Sequence, residues 1–173
     1  ANPCGKLAET IPMKLSDTPC YLTFPGDRHA EYNEGVFVGY RYYDKKEMAV
    51  RYPFGHGLSY TQFKYSDLLC RFSGEDVIVG CTVKNVGKVT GDEVVQLYLK
   101  DIIGSRTRPE RELKGFEKIA LKSGESKTVE FEIPAEARSF FRSDDKWGEE
   151  AGEYEVFIGH DSKAQLKGGF TVI

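Results

Sequence analysis

At 173 residues the chain has room for one ordinary domain and an appendage. Charged residues make up 29% and the net charge is −3, so no basic field is available for nucleic acid or an anionic membrane. No run of about 18 apolar residues occurs, which excludes a spanning helix, and no charged start followed by an apolar stretch marks a secretory signal. Ala1, with no initiator Met, is read as a cut end, and the compartment stays open between cytoplasmic and secreted.

Residues 1–60 are cut into pieces by Pro3, Pro12, Pro19, Pro25 and Pro53, and no long periodic element survives between them. Sixty residues without regular structure are unusual in an independent domain. The segment is nevertheless aromatic, with Tyr21, Phe24, Tyr32, Phe37, Tyr40, Tyr42, Tyr43, Tyr52 and Phe54, a composition that disordered linkers do not carry. It fits the tail of a larger domain followed by a connector that lies against something. The connector closes on Arg51-Tyr52-Pro53-Phe54-Gly55-His56-Gly57-Leu58-Ser59-Tyr60-Thr61. There two glycines and a proline force a tight loop, and the flanking aromatics pack it down.

From Thr61 onward the pattern changes to short strands separated by turn residues. Tyr65, Leu68, Cys70 and Phe72 are read on one face of a first strand. Val77, Val79, Cys81 and Val83 alternate on a second, ending at Asn85-Val86-Gly87. A third runs through Glu93–Leu99 and a fourth from about Leu113 to Leu121, closed by Lys122-Ser123-Gly124-Glu125. Val129, Phe131 and Ile133 form a half-buried strand stopped by Pro134, with a short helix over Ala135 to Phe141 after it. Tyr154, Val156 and Ile158, then Phe170 and Val172, complete the series. Period two with a turn every dozen residues predicts an all-β, antiparallel sandwich of the immunoglobulin or fibronectin type III kind. Ala151-Gly152-Glu153-Tyr154 resembles a tyrosine corner.

Several clusters invite chemistry, each beside a plainer alternative. Asp27, His29 and Glu31 would share a face of an extended segment and could ligate a metal, or they form a polar loop; no metal is assigned. Cys70 and Cys81 either bridge across a hairpin or remain two buried thiols. Asp144, Asp145, Glu149 and Glu150 surround Trp147, which makes Trp147 a candidate sugar contact; the alternative is a solvated loop with the Trp tucked into the sandwich edge. His160-Asp161 reads as a turn. Arg106, Arg108 and Arg111 flank Pro109 on an excursion that either pairs with acids of another domain or subunit or is a surface loop.

The loop Arg51–Thr61, together with Glu34-Gly35-Val36-Phe37-Val38-Gly39-Tyr40-Arg41-Tyr42-Tyr43-Asp44, resembles the C-terminal signature of glycoside hydrolase family 3. That is the family of β-glucosidases and β-xylosidases. Asn2-Pro3-Cys4-Gly5-Lys6-Leu7 resembles the family's Asn-Pro-Ser-Gly-Lys-Leu-Pro segment, with Cys4 and Ala8 departing from its Ser and Pro. Val83–Gly87, Gly91–Tyr98, Arg108-Pro109 and Leu113-Lys114-Gly115-Phe116 are similar to further landmarks in the family's order.

The resemblance implies that residues 1–60 end the family's α/β sandwich domain and form the connector, and that residues 61–173 are its fibronectin type III-like domain. It also implies retaining hydrolysis of terminal β-glycosidic bonds by a carboxylate nucleophile and a carboxylic acid about 5 Å apart, with no cofactor. Both catalysts sit on preceding domains in the family, so no catalytic residue is carried over, and the chain alone is expected to be inert. Its partners would be those catalytic domains, a second copy in a homodimer, and, through the parent, an oligosaccharide or glycoside. Phe37, Tyr40, Arg41, Tyr42, Tyr43, Phe54 and His56 are the candidate inter-domain seam, because Tyr and Arg suit contacts that need both area and hydrogen bonding. One rival is an autonomous carbohydrate-binding module, which predicts an exposed platform of Trp147 with Tyr98 or Phe157. Another is an adhesion-type domain, which would have no use for residues 1–60.

Overall fold

The computed structural model describes residues 1–24, 26 and 28–173. Ahead of Thr61, regular structure is sparse: β1 (Ile11–Pro12) pairs with β2 (Val50–Tyr52), and a 3-10 turn at Leu15–Asp17 and the six-residue helix α1 (Tyr40–Lys45) lie between them. Then come β3 (Phe63–Ser73), β4 (Asp76–Asn85), β5 (Gly91–Asp101), β6 (Glu112–Leu121) and β7 (Ser126–Ile133). They are followed by α2 (Ala135–Arg138), β8 (Phe140–Phe141), β9 (Trp147–Gly148), β10 (Gly152–Gly159) and β11 (Leu166–Val172).

The long strands form two antiparallel sheets, one ordered β11-β10-β5-β6 and the other β3-β4-β7. Their facing sides hold the core. Val77, Val79, Cys81 and Val83 of β4 and Val129, Phe131 and Ile133 of β7 meet Val95, Leu97 and Leu99 of β5 and Val156 and Ile158 of β10. The all-β sandwich expected from the alternation is the one observed, because one buried face per strand is what period two encodes. The Tyr154 hydroxyl donates to the Glu150 carbonyl at 3.0 Å, so the tyrosine corner is present.

Some local expectations are corrected. Simple alternation puts Tyr65 out of step with Leu68, yet both pack on the core. A bulge between Ser66 and Leu69, with Asp67 at φ 56°, supplies the extra residue that realigns them. Phe72 lies beyond the core and is half exposed. The helix expected over Ala135–Phe141 stops at Arg138, because Ser139 is extended and Phe140–Phe141 pair with Trp147–Gly148. Arg138 is buried and donates to Ile133 O and Glu75 O at 2.7 Å each and to Glu149 Oε2 at 2.6 Å, which pins the turn down. Residues 1–60 contain a helix that periodicity did not show: α1 is too short to display a period. Cys70 and Cys81 are free thiols. Burial raises the Cys81 pKa to about 11, as expected for a core thiol.

Candidate functional site: the seam between connector and sandwich

The connector returns along the outer face of the four-stranded sheet. Tyr98 on β5 and Phe157 on β10 form an apolar patch there with Ala164, flanked by Leu113 of β6. Tyr40, the first residue of α1, lies edge-on to Tyr98 with ring centroids 5.9 Å apart and stacks on Phe54 at 4.8 Å. Its hydroxyl accepts a hydrogen bond from the Leu113 amide at 2.8 Å. Gly39, at φ 57°, makes the sharp entrance to α1.

A buried amide locks the same region. Gln96 sits in an otherwise apolar stretch of β5 and points outward beneath the connector. Its Nε2 donates to Gly55 O at 3.2 Å and to His160 O at 2.7 Å, while its Oε1 accepts from the Tyr98 hydroxyl at 2.6 Å. Ser162 N also donates to Phe54 O at 2.9 Å. Gly55 has to be glycine: at φ 80° it is left-handed, and a Cβ would stand 2.2 Å from Gln96 Oε1. Burial drives the Tyr98 hydroxyl far above the usual tyrosine range, so it stays a donor at any working pH.

A second node ties the ends of the connector to the edge of the sandwich. Asn2 donates to Ser59 Oγ at 3.0 Å and accepts from Tyr60 N at 2.8 Å. Thr61 Oγ1 donates to the fully buried Asn85 Oδ1 at 2.6 Å. Asn85 Nδ2 continues to Val89 O at 2.8 Å and Leu121 O at 3.0 Å, bridging the two sheets. A Cβ on Gly87 would meet Thr61 Oγ1 at 2.1 Å, and one on Gly91 would meet Asn2 Nδ2 at 2.8 Å. The landmarks Asn2, Ser59, Thr61, Asn85 and Gly87 are therefore one hydrogen-bonded construction, with Gly91 packed closely against it.

Ion pairs edge the seam. Lys6 Nζ reaches the nearly buried Glu93 at 2.9 Å, Arg41 pairs with Glu112 at 3.2 Å, and Lys163 pairs with Asp44. Burial pushes the Asp44 carboxyl above the usual range, and the Lys163 hydrogen bond and charge offset part of that. Each of these acids has a cation against it, so the arrangement is suited to holding surfaces together rather than to proton transfer.

The predicted seam residues divide. Tyr40 and Phe54 meet in the patch, Arg41 stands at its rim, and Tyr43 is buried with Tyr42 edge-on to it at 5.3 Å. Phe37 is half-buried outside the patch, and the His56 ring stacks on Tyr52 at 5.0 Å. Trp147 lies apart from the seam on β9 and is 68% exposed, not tucked into the sandwich edge. The carboxylates around it are engaged: Asp144 with Arg142, Asp145 with Arg106, Glu149 with Arg138 and Glu150 with Ser105. Arg108 pairs with Glu112, and Arg111 donates to Ser162 O and Ala164 O while covering the Phe157 ring at 4.0 Å. Tyr98 and Phe157 are buried and offer no face to a sugar. Asp27 lies outside the described residues, so the Asp27-His29-Glu31 ligand set falls there with it. Among the described residues no cluster of three His, Cys, Asp or Glu side chains could hold a metal, and no helix is long and apolar enough to cross a membrane.

Gln96, Asn85 and Asn2 lie in motifs quoted from the sequence, but no hydrogen-bonding role was assigned to them there. A lone amide inside Val94-Val95-Gln96-Leu97, or closing the apolar run of β4, is the signal that could have found the first two, because buried polar groups need partners.

The fibronectin type III-like domain family matches residues 93–162. Thermostable β-glucosidase B of Acetivibrio thermocellus is 53% identical over 94% of this chain, which covers 22% of that protein. An exo-α-(1→6)-L-arabinopyranosidase of Bifidobacterium longum is 42% identical, with the same two coverages. The crystal structure of a family 3 β-glucosidase from Bifidobacterium adolescentis superposes with a TM-score of 0.93 at 41% identity, over 99% of this chain and 26% of that one. The chain thus spans about a quarter or less of the relatives it matches. It belongs with the glycoside hydrolase family 3 β-glucosidases and corresponds to their C-terminal part, the fibronectin type III-like domain included.

Proposed function

We propose that the chain is the non-catalytic, bracing portion of a retaining β-glucosidase-like hydrolase, with residues 1–60 as the tail of its α/β domain and the connector, and residues 61–173 as the fibronectin type III-like sandwich they are fastened to. The observation that carries this is the outward side of the connector. Met13, Leu15, Leu22, Phe24, Tyr32, Leu58 and Tyr60 are all exposed. An apolar groove of about 640 Å³ beside Leu7, Ile11, Tyr52 and Leu58 belongs to the same surface. So many exposed large apolar side chains in one segment mark an interaction site, and their natural cover is the catalytic part of the same enzyme. The parent reaction is hydrolysis of a terminal β-glycosidic bond by two carboxylates carried outside this chain.

Complementation in trans tests the proposal. The upstream part of the reading frame, produced alone, should be unstable and of low activity. Adding this chain as a separate polypeptide should restore both. An upstream part that is equally active and equally heat-stable without the chain would overturn the bracing role. Retardation of the chain in gels containing soluble glucans would favour an autonomous binding module instead.

A further inference from the structure

A groove of about 480 Å³, inside the ~300–1,000 Å³ range of small-ligand sites, opens beside Trp147 between α1, β6 and the β8–β9 ribbon. Its charges do not balance. The Glu112 carboxylate faces three cations: Arg108 Nη2 at 2.7 Å, Arg41 Nη2 at 3.2 Å and Lys114 Nζ at 3.7 Å. The Arg108, Glu112 and Lys114 side chains are only 13%, 16% and 19% exposed, so water screens this excess poorly. Burial, together with the Arg108 and Arg41 charges, holds the Lys114 ammonium below the usual lysine value despite Glu112. Arg108 Nε is buried and has no hydrogen-bond partner among the described residues. Burial raises the Asp101 carboxyl while the Arg108 charge lowers it, so Asp101 is a second acid beside the cluster, and its own buried Oδ2 has no hydrogen-bond partner among the described residues either. Glu112 and Asp101 still face three cations, and Glu136 stands exposed on the rim, so the cluster would be stabilised by a further anion.

The other wall is aromatic. Phe141 and Trp147 are directly opposite each other on the ribbon and so share one face. The Arg106 guanidinium lies over the Phe141 ring at 5.4 Å, which leaves the 68%-exposed indole as the more open ring. A cationic pocket that already holds a carboxylate in charge-assisted bonds, beside an open indole, fits a ring-shaped ligand bearing an acid. We propose that this groove binds a sugar acid, with the carboxylate of a glycuronic acid residue among Arg41, Arg108 and Lys114 and its pyranose ring on Trp147. The proposal stands apart from the bracing role, since none of the exposed connector residues named above takes part.

Trp147 is the only tryptophan of the chain, so intrinsic fluorescence reports on the groove directly. The chain would be titrated with methyl β-D-glucuronide, methyl β-D-glucoside and N-acetylglutamate, with circular dichroism checking the fold of each variant. The glucuronide should give a saturable change in emission at a concentration about tenfold lower than either of the others. Lys114→Met should raise that concentration about tenfold. Glu112→Gln, which frees the cations, should lower it several-fold, a change of sign that a purely structural role for Glu112 would not produce. An equal response to the glucoside overturns the acid requirement, and an equal response to N-acetylglutamate overturns the sugar in favour of an acidic peptide. No saturable change with any of them overturns the site.

Discussion

Val77, Val79, Cys81 and Val83 on β4 are each at most 1% exposed, whereas Met13, Leu15, Leu22, Phe24, Leu58 and Tyr60 in the connector are between 59% and 92% exposed. The sandwich buries its apolar side chains against its own second sheet. The connector instead is ordered by borrowed surface and by amides: Tyr40 and Phe54 rest on Tyr98, and the chain path is fixed by Gln96 and Asn85. Burial of apolar area drives the first region, and satisfaction of buried polar groups shapes the second. The two should therefore fail differently.

The largest effect is expected where the sandwich depends on a single polar side chain. Arg138→Ala removes a buried guanidinium and orphans the carbonyls of Ile133 and Glu75 along with the Glu149 carboxylate. A loss of about 4 kcal/mol is expected, read as a fall in the urea midpoint with all spectroscopic signals moving together. A shift that spared the near-ultraviolet signal of the sandwich would contradict this placement of its stability. Gly87→Ala acts at the junction instead. The new methyl would meet Thr61 Oγ1 at 2.1 Å and Gln62 N at 2.9 Å, so Thr61 must leave Asn85. About 2 kcal/mol should be lost, and amide exchange should quicken at Ser59–Gln62 before it quickens in β5. Uniform quickening across both regions would mean that the junction is not a separate unit.

How much of this was legible in the sequence follows the same division. The β4 alternation of Val77, Val79, Cys81 and Val83 announces a half-buried strand, and the structure keeps it residue for residue. Where one residue departs from the period, as Asp67 does in the bulge, alternation misplaces everything on one side of it. The connector has no period, so its aromatics say that it lies against something without saying what. Tyr40 and Phe54 turn out to cover the sandwich, while Leu58 and Tyr60 face away from it. Trp147 could be named from the sequence as a candidate sugar contact, but the cluster around Glu112 could not, because Arg41, which pairs with Glu112, is some seventy residues away in sequence. Ionic clusters assembled from three elements leave no local pattern.

A smaller effect separates the seam from the sandwich by pH. His160 Nε2 lies 3.3 Å from Asp161 Oδ2. That hydrogen bond raises the His160 pKa above its ordinary 6.5, partly offset by burial. Burial would raise Asp161, but the His160 hydrogen bond and charge outweigh it and hold that carboxyl below its ordinary 3.8. The His160 contribution is thus complete below pH 6.5 and lost as pH climbs through the raised value. The Asp161 contribution is present above pH 3.8 and lost as pH falls through the depressed one. With the His160 side chain 57% exposed, screening limits the histidine effect to about 0.5 kcal/mol. Unfolding free energies from urea titrations should be higher at pH 6 than at pH 8 by that amount in the parent chain and converge in His160→Asn. Unchanged pH dependence in the variant would assign the titration to another group.

The smallest expected effect on the chain itself is also the sharpest test of the comparison. Leu58 and Tyr60 are 74% and 78% exposed, so in this chain their side chains gain little by being apolar. Leu58→Ser with Tyr60→Ser should leave its stability within about 0.5 kcal/mol, and should make it less prone to self-association because the apolar patch is smaller. In the whole enzyme the proposed bracing role requires that the same pair lower the melting temperature measurably, because it would strip apolar contact from a covered surface. A sandwich-core change such as Leu97→Ala should cost about 3 kcal/mol in both settings. If the serine pair costs the same small amount in the whole enzyme as in the chain, these residues face water there too, and the connector would owe its order to the sandwich alone.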